Sequence, residues 1–446
     1  MSASKASIFE ELFLESNDQE RTADLKSGVV SIDYYEDILS PTVTAKIRVI
    51  NTGDSIAPKD TNDPKKTDGA KQSIYNGLPL RGGERLVMKI LDQGKADNNG
   101  KEKTGLDFSS DPKKYLFVSG ITQVLQEAQR ESFLLNLVSR EAITNETVRV
   151  MKRYNGTISN SASKILKDVL KVDESRYNIE TTLHPYDFIG NLKKPFSVLV
   201  SLASKSVPNK SKDATAGFVF FQTQDGFQFV SIDSLIKKRS KATYRYTEVN
   251  ETSSTRNNDF NILQYNIDKN QNLIENLRMG TYSFVRLSFN PLTFGFSQTT
   301  FNYGSKEGIE NLGRDLELPK ISDDSNQTLD QLPTRAVSQI LDVGAKTTIS
   351  KDTNYSPEKY QGQNIVRYNL LMTQSVSMMI PCNTDLKAGD VITCEFPKIS
   401  RGDKNEIDTE TSGKYLIKEL CHHFEPKRSF TSMTLVRDTF GLYGGN

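Results

Sequence analysis

The stretch LKAGDVITCEFP at residues 386–397, with SGKYLIKELCHHFEPKRSFTSMTLVRDTF at 412–440 after a polar loop, reads as three short strands joined by turns. In the first turn, Gly389 accommodates a positive φ without steric cost, and the Asp390 carboxylate can cap the turn. The strand that follows stops at Pro397. Alternation on both sides of Pro426-Lys427-Arg428-Ser429 predicts a hairpin. The end of the chain is therefore predicted to be antiparallel β-structure.

The size and charge of the chain limit the class of protein to which it can belong. With 446 residues, two to four domains and more than one buried core are expected. Hydrophobic residues make up 36% of the chain and charged residues 25%, which is typical of soluble globular proteins. The 57 Lys and Arg residues against 56 Asp and Glu leave a net charge of +1. This balance argues against binding nucleic acid through a basic surface, so no sequence-specific nucleic-acid binding is expected.

The cysteines and the apolar runs indicate where the chain folds. Cys382, Cys394 and Cys421 are odd in number and widely spaced, which fits a reducing compartment better than a disulfide scaffold. No apolar run approaches the roughly 18 to 20 residues that span a bilayer. The N-terminal MSASKASIFEELFLES lacks the order of a secretion signal. We therefore expect folding in a cytoplasm and no membrane span.

Residues 1–150 are predicted to form a first small β-barrel or sandwich, because strand patterns recur through residues 22–140. The predicted strands are Gly28–Tyr35, Thr42–Ile50, Glu84–Leu91, Tyr115–Leu125 and Ser132–Ser139. Two polar segments, 51–77 and 92–114, interrupt them. Since such segments bury too little apolar area to fold alone, we expect long surface connections.

Residues 151–245 are predicted to form a compact α+β unit. Apolar spacing in 161–172 favours a helix with Ser159, Asn160 or Ser161 as N-cap, and Pro195 fits the first turn of a second helix. The segment GFVFFQTQDGFQFVSID at 217–233 predicts a hairpin whose two-residue turn is Asp225-Gly226, with positive φ at both positions. Four phenylalanines are then expected on one face over the helices: Phe218, Phe220, Phe227 and Phe229.

The strand pattern returns in residues 246–303 and 355–446, which we predict to be two parts of a second β-barrel. Residues 304–354, rich in Asp and Ser and containing two prolines, are predicted to be a long polar loop or arm between these parts. A helix is predicted at Glu358–Met372, leading into the C-terminal strands. The fold class is therefore mainly β with α+β: two β-barrels around a small α+β domain.

Three segments in order carry a family resemblance. The passage FLLNLVSREAITNETVRV at 133–150 resembles the end of the first tube-like domain in central hub proteins of T-even-like contractile-tailed phages. KPFSVLVSLASKSV at 194–207, followed by the aromatic hairpin, is similar to the α+β module of that family. GDVITCEFP and GKYLIKELCHHF are similar to the second tube-like domain, which also occurs in the type VI secretion spike. Together these segments span most of residues 20–440.

The resemblance implies a structural role in a virion tail baseplate. Two similar β domains per chain, repeated in a homotrimer, make a ring of six domains that stacks under a hexameric tail tube and accepts a trimeric spike. The implied partners are the tail tube and spike proteins, with tape measure and baseplate wedge proteins as further candidates. The lumen would pass phage DNA. The long segments 51–77, 92–114 and 304–354 depart from the family pattern and suggest extra docking.

Cys421-His422-His423 is the cluster most suited to metal binding or nucleophilic chemistry. Alternation along a strand places Cys421 and His423 on one face and His422 on the other, so the three side chains do not converge on one ion. Neither CxxC nor HExxH occurs, and His184 is the remaining histidine. A packed cysteine beside a hydrogen-bonded histidine is the favoured interpretation.

Three further motifs have an ordinary structural interpretation. Arg81-Gly82-Gly83-Glu84 lacks the GxGxxG and P-loop patterns and is predicted to be a turn. The acid pairs Glu10-Glu11 and Asp323-Asp324 raise the question of a glycoside hydrolase, but both fall in segments expected to be solvated, where a carboxyl is a poor general acid. Lys237-Lys238-Arg239 is predicted to be a solvated helix end.

The hairpin phenylalanines, including Phe221, also suggest a stacking platform for a base or a sugar. Such platforms come with basic neighbours, whereas the charge nearest to this hairpin is Asp225. We therefore predict that at least two of the rings are core. No catalytic, cofactor or metal residue is assigned, and the chain is predicted to be a non-enzymatic hub. The alternatives are a tail-associated cell-wall hydrolase or carbohydrate-binding protein, and a hub from another contractile injection machine.

Overall fold

The structure is a computed structural model that describes residues 6–52, 56, 72–91, 105–209, 216–247, 258–269, 271–303, 311–314, 318, 320–322, 325–341, 357–398 and 406–441. Strands from both ends of the chain join in one large sheet, and the smaller sheets are built from the residues between them. The chain is mainly β with an α+β part, which confirms the predicted fold class.

The N-terminal β unit contains strands in the order β3-β4-β8-β7-β5-β1-β2, with β6 on β5. Its elements are β1 Ile8–Glu15, β2 Thr22–Asp24, β3 Val29–Asp37, β4 Thr44–Thr52, α1 Ile74–Gly77, β5 Arg85–Leu91, β6 Gly105–Phe108, β7 Leu116–Gln126, β8 Arg130–Ser139 and α2 Arg140–Thr147. The five strands predicted from the sequence are confirmed. Strands β1, β2 and β6 were not predicted, and β6 lies within the segment 92–114 that was expected to be a loop. Most of 51–77 and residues 92–104 lie outside the described residues.

The middle unit packs three helices on a small sheet. Its elements are β9 Arg153–Tyr154, α3 Ile158–Lys164, β10 Tyr177–Ile179, β11 Phe188–Ile189, α4 Pro195–Ala203, β12 Phe218–Thr223, β13 Gly226–Ser231 and α5 Ile232–Ile236. Helix α4 begins at Pro195 as predicted. The N-cap of α3 is Thr157, whose hydroxyl accepts from Asn160 N, so the prediction of residues 159–161 was wrong. The helix then continues as a π-helix, Ile165–Val169.

The hairpin of β12 and β13 turns one residue earlier than predicted. Thr223 pairs with Gly226, so the turn is Gln224-Asp225, and the positive φ falls on Gly226 at 125°. A Cβ on Gly226 would lie 2.0 Å from the carbonyl oxygen of Arg176, so close backbone contact requires glycine there. The four phenylalanines predicted to share a face all lie in one hydrophobic core.

The C-terminal β unit surrounds its own hydrophobic core. Its elements are β14 Thr243–Tyr246, β15 Asn261–Ile262, β16 Gln264–Lys269, β22 Gln374–Pro381, β23 Val391–Glu395, β24 Gly413–Phe424 and β25 Ser429–Arg437. The β24–β25 hairpin and the turn before β23 are as predicted, with Gly389 at φ 83° and Asp390 Oδ2 accepting from Lys387 N at 3.1 Å. Tyr415, Leu420 and Met433 are among the side chains that fill the interior.

A separate sheet lies between these segments in the chain, in the order β18-β17-β21. The elements of this region are α6 Leu273–Met279, β17 Ser283–Asn290, β18 Gly295–Asn302, β19 Lys320–Ser322, β20 Ser325–Thr328, β21 Arg335–Ile340 and α7 Pro357–Leu371. The sequence placed 283–302 within the second barrel and 304–354 in an arm. The structure instead pairs β17 with β21, and Phe284 of β17 shares a hydrophobic core with Val366 and Leu370 of α7, the predicted helix. Residues 304–310 and 342–356 lie outside the described residues.

The two β units meet where β24 pairs antiparallel with β3, from Glu419 opposite Asp37 to Phe424 opposite Ile32. The ladder therefore runs without a break from β23 through β24, β3 and β4 to β8. Phe424, from the end of β24, is buried in the core of the N-terminal unit. We call this shared part, β24 and β3 with their flanking strands, the joining sheet.

Candidate interaction surfaces

The Cys421-His422-His423 cluster lies on the joining sheet, and its side chains alternate between faces as predicted. His422 is 1% exposed, with Nδ1 2.9 Å from Thr431 Oγ1 and Nε2 3.3 Å from the Leu386 carbonyl oxygen. Burial lowers the pKa of His422 to about 4, so this imidazole is neutral at physiological pH. His422 is therefore a hydrogen-bonded core residue.

Cys421 and His423 lie on the other face, beside Asp33 of β3. The His423 ring contacts two carboxylates, with Nδ1 2.5 Å from Asp33 Oδ1 and Nε2 3.0 Å from Glu425 Oε1. The hydrogen bond with Asp33 is the main cause of the raised pKa of His423. Burial raises the pKa of Cys421 to about 12, so its thiol is a poor nucleophile. In the described part of the chain, no group of three His, Cys, Asp or Glu side chains is placed to hold a metal ion.

The segment Arg81-Gly82-Gly83-Glu84 is a turn before β5, as expected. Glu84 is fully buried and accepts hydrogen bonds from Arg81 N at 2.6 Å, Gly82 N at 2.9 Å and Asn17 Nδ2 at 3.2 Å. Gly82 and Gly83 have φ values of 97° and 92°, which only glycine adopts readily. The backbone donors of this turn are therefore bound by a carboxylate of the same chain and do not face a phosphate.

The acid pairs do not form a hydrolase site among the described residues. Glu10 and Glu11 lie in β1, where Glu10 is exposed as expected and forms an ion pair of 2.8 Å with Lys89 on β5. Asp323-Asp324 lie outside the described residues. The ion pair gives Glu10 a structural partner across two paired strands.

The remaining sequence candidates also have structural partners. The hairpin phenylalanines are each no more than 3% exposed, so none presents a ring face for a base or a sugar. Phe221 points to a second core, on the opposite side of its strand. Lys237-Lys238-Arg239 follows α5 as predicted, but the Lys238 ammonium donates to the Gly389 carbonyl oxygen at 2.9 Å. This lysine therefore binds the middle unit to the C-terminal unit.

Two buried charged residues were missed by the sequence analysis. Arg367 of α7 lies 2.8 Å from Asp233 of α5 and 3.0 Å from Asp438 after β25, with all three side chains almost fully buried. Glu36 of β3 is 1% exposed and contacts turns from the other two units. Neither stands in a recognisable motif, because each acquires its partners from distant parts of the chain.

The sheet of β17, β18 and β21 has one covered face and one open face. Helix α7 covers the first face. On the other, Phe296 is 83% exposed and lies 4.9 Å from the Phe289 ring, with Ile340 of β21 beside them. Phe294, in the turn before β18, is 78% exposed. We call this surface of Leu287, Phe289, Phe294, Phe296 and Ile340 the open face.

Strand β18, GFSQTTFN, carries no charged residue and pairs, among the described strands, with β17 alone. Charged side chains are a common means of preventing contacts at such a strand edge. Exposed apolar patches of this kind mark interaction sites. The open face is therefore a candidate contact surface for another protein chain.

Sequence comparison identifies the relationship. Over 320 residues the chain is 22% identical to the probable baseplate hub protein gp334 of Vibrio phage KVP40, a match that covers 69% of this chain and 73% of that protein. The chain is thus similar in sequence to a phage baseplate hub protein. This similarity supports a structural role in a phage tail baseplate.

The fold agrees with that of a solved tail protein. The crystal structure of the tail protein from Neisseria meningitidis MC58 superposes with a TM-score of 0.53 at 9% sequence identity, covering 96% of each chain. No family model matches the chain. No helix in the part of the chain that the structure describes is both long and apolar enough to cross a membrane.

Proposed function

We propose that the chain is a homotrimeric symmetry adaptor that joins a hexameric tail tube to a trimeric spike. The observation that carries the proposal is the β24–β3 pairing, which sets the N-terminal and C-terminal β units side by side in one ladder. A trimer of such chains presents six β units around a ring, and such a ring matches sixfold symmetry on one side and threefold symmetry on the other. The proposed domains are 1–150, 151–245 and 246–303 with 355–446, and the last carries β17 and β18 as part of the separate sheet with β21.

The proposed lumen passes phage DNA without binding it tightly. The net charge of +1 supports this, since a strongly basic lumen would retain a polyanion. The face of the joining sheet that carries His423 is of mixed charge, with the carboxylates of Asp33 and Glu425 on either side of the His423 ring. Such a surface provides no continuous row of cations for the phosphate backbone.

We propose a role without catalysis and without a cofactor, with tube and spike proteins as the principal partners and assembly in the host cytoplasm. The buried or paired state of Cys421, His422 and Glu10 supports this, because none is free to act on a substrate. The open face supports contact with further tail proteins, such as tape measure and wedge proteins.

The mass of the purified chain in solution tests the proposal. Light scattering is expected to give three times the chain mass of 50.1 kDa, and negative-stain averages should show a ring with a central hole. A stable monomer that stays monomeric when mixed with the spike protein would contradict the adaptor. Clearing of a peptidoglycan zymogram by the chain, lost on substitution of one of its carboxylates, would favour a hydrolase instead.

A further inference from the structure

Glu36 lies where all three units of the chain meet. Its carboxylate is on β3 of the N-terminal unit. Oε1 accepts from the backbone N–H of Gln224, at 2.6 Å, in the turn of the middle unit. Oε2 accepts from the backbone N–H of Ala388, at 2.9 Å, in the turn before β23 of the C-terminal unit. One side chain thus connects segments that are 188 and 352 residues away in sequence.

The two turns also contact each other around this carboxylate. Gln224 Nε2 donates to the Thr384 carbonyl oxygen at 2.8 Å, and Lys387 forms an ion pair with Asp225. Gly389, in the same turn as Ala388, approaches Phe221 so closely that a Cβ there would lie 2.9 Å from the ring. Opening this junction therefore separates both turns from β3 and admits water to Glu36.

Burial opposes the negative charge on Glu36 and raises its pKa to about 7, even though three donors and Lys387 favour the ionised form. The third donor is Tyr34 Oη, 2.9 Å from Oε1, and burial also raises the pKa of Tyr34 far above neutrality. In an opened junction the carboxyl would be solvated and would return to an ordinary pKa. The closed junction thus binds a proton more tightly than the open one.

The other charged groups around the junction would not make its opening depend on pH near neutrality. Asp225 and Lys387 pair with each other, and Asp390 pairs with Lys241 at 2.8 Å and Lys238 at 3.5 Å. His422 stacks on Tyr34 with ring centroids 6.2 Å apart, and its pKa of about 4 keeps it neutral. His423 lies on the opposite face of β24, bound to Asp33 and Glu425.

We propose that Glu36 is a proton-linked clasp that holds the Gln224 turn and the Ala388 turn on β3 when protonated and loosens both when ionised. The sign follows from linkage, because a proton bound more tightly by the closed junction favours closure. The device adjusts how rigidly the three units of one chain are connected, so it is independent of whether three chains assemble.

Hydrogen exchange of the full-length chain, followed by mass spectrometry, tests the clasp. Protection of peptides covering 218–231 and 383–391 is measured from pH 5 to pH 8 and corrected for intrinsic exchange. Each unit by which the Glu36 pKa differs between the closed and the open junction corresponds to a tenfold change in the closing equilibrium. Protection should therefore fall by roughly 50-fold from pH 5 to pH 8. In Glu36→Gln the two segments should show no such fall, because the group that titrates is gone.

Glu84→Gln is the matched control, because Glu84 is also a buried carboxylate that accepts from backbone N–H groups, but within one turn. It should keep the pH dependence of the wild type in both segments, as should His423→Gln. A wild-type chain with flat protection would overturn the clasp. The clasp would also be overturned if protection fell with pH in Glu36→Gln as much as in the wild type. If Glu36→Gln fails to fold, the infrared spectrum of the wild type at pH 6 provides the test, because a protonated buried carboxyl gives a carboxylic acid band. A spectrum without that band, with all buried carboxyls ionised, would refute the clasp.

Discussion

The joining sheet and the sheet of β17, β18 and β21 differ in what covers them. In the joining sheet, β24 has paired strands on both sides, and its inward side chains, such as Leu420 and Phe424, are fully buried. The second sheet has two edge strands among the described elements, and α7 covers one of its faces while phenylalanines stand exposed on the other. The first arrangement is that of a folding core, whereas the second is that of a contact surface.

The largest expected effect on stability comes from truncating one phenylalanine in each of the two sheets. Phe424→Ala should lower the free energy of unfolding by about 3–5 kcal/mol, because it leaves a cavity where β24 enters the N-terminal core. Phe296→Ala should change it by about 0.5 kcal/mol or less, since that ring is already in water. Urea denaturation of the two variants measures the difference. Equal losses of stability would show that the exposed sheet is as much a part of the core as the joining sheet.

Helix α7 contacts both regions, and Arg367 anchors it to the joining side. Arg367→Met should lower the free energy of unfolding by about 3 kcal/mol, because it leaves the carboxylates of Asp233 and Asp438 buried without their cation. The matched control is Lys398→Met, which breaks an exposed pair with Glu406 and should change stability by about 1 kcal/mol or less. Similar urea midpoints for Arg367→Met and the wild type would mean that α7 is held by its apolar contacts alone.

A smaller effect on stability is expected on the face of the joining sheet that carries His423. The folded pKa of His423 is raised by Asp33, so its contribution to stability is complete below the unfolded pKa and is lost as the pH rises through the folded pKa. His423→Gln should therefore reduce stability by about 1 kcal/mol or less at pH 6 and have little effect at pH 9. Thermal unfolding of both proteins at the two pH values measures this. A larger loss at pH 9 than at pH 6 would reverse the assigned sign.

The sequence predicted the joining sheet better than the second sheet, for a physical reason. The turn at Gly389, the hairpin of β24 and β25 and the start of α4 at Pro195 depend on residues next to one another, so local patterns predict them. The pairing of β17 with β21 joins strands that β18, β19 and β20 separate in the chain, and α7 adds to the same core from still further along, so no local pattern carries that information. Glu36 was missed because a glutamate in an alternating strand predicts exposure, and its burial arises from two turns that fold onto it.

The smallest effect on stability, and the sharpest test of the open face, should come from Phe294→Ser combined with Phe296→Ser. Both rings are mostly in water, so the melting temperature should stay unchanged, whereas binding of an apolar fluorescent dye should fall because its surface is removed. Leu125→Ser is the control, since Leu125 on β7 is 68% exposed but lies outside the open face. If the double variant and the control lose dye binding equally, the phenylalanines are isolated exposed residues. A selective loss would mean that the second sheet maintains an apolar surface that the fold itself does not need, and a partner chain gives such a surface its function.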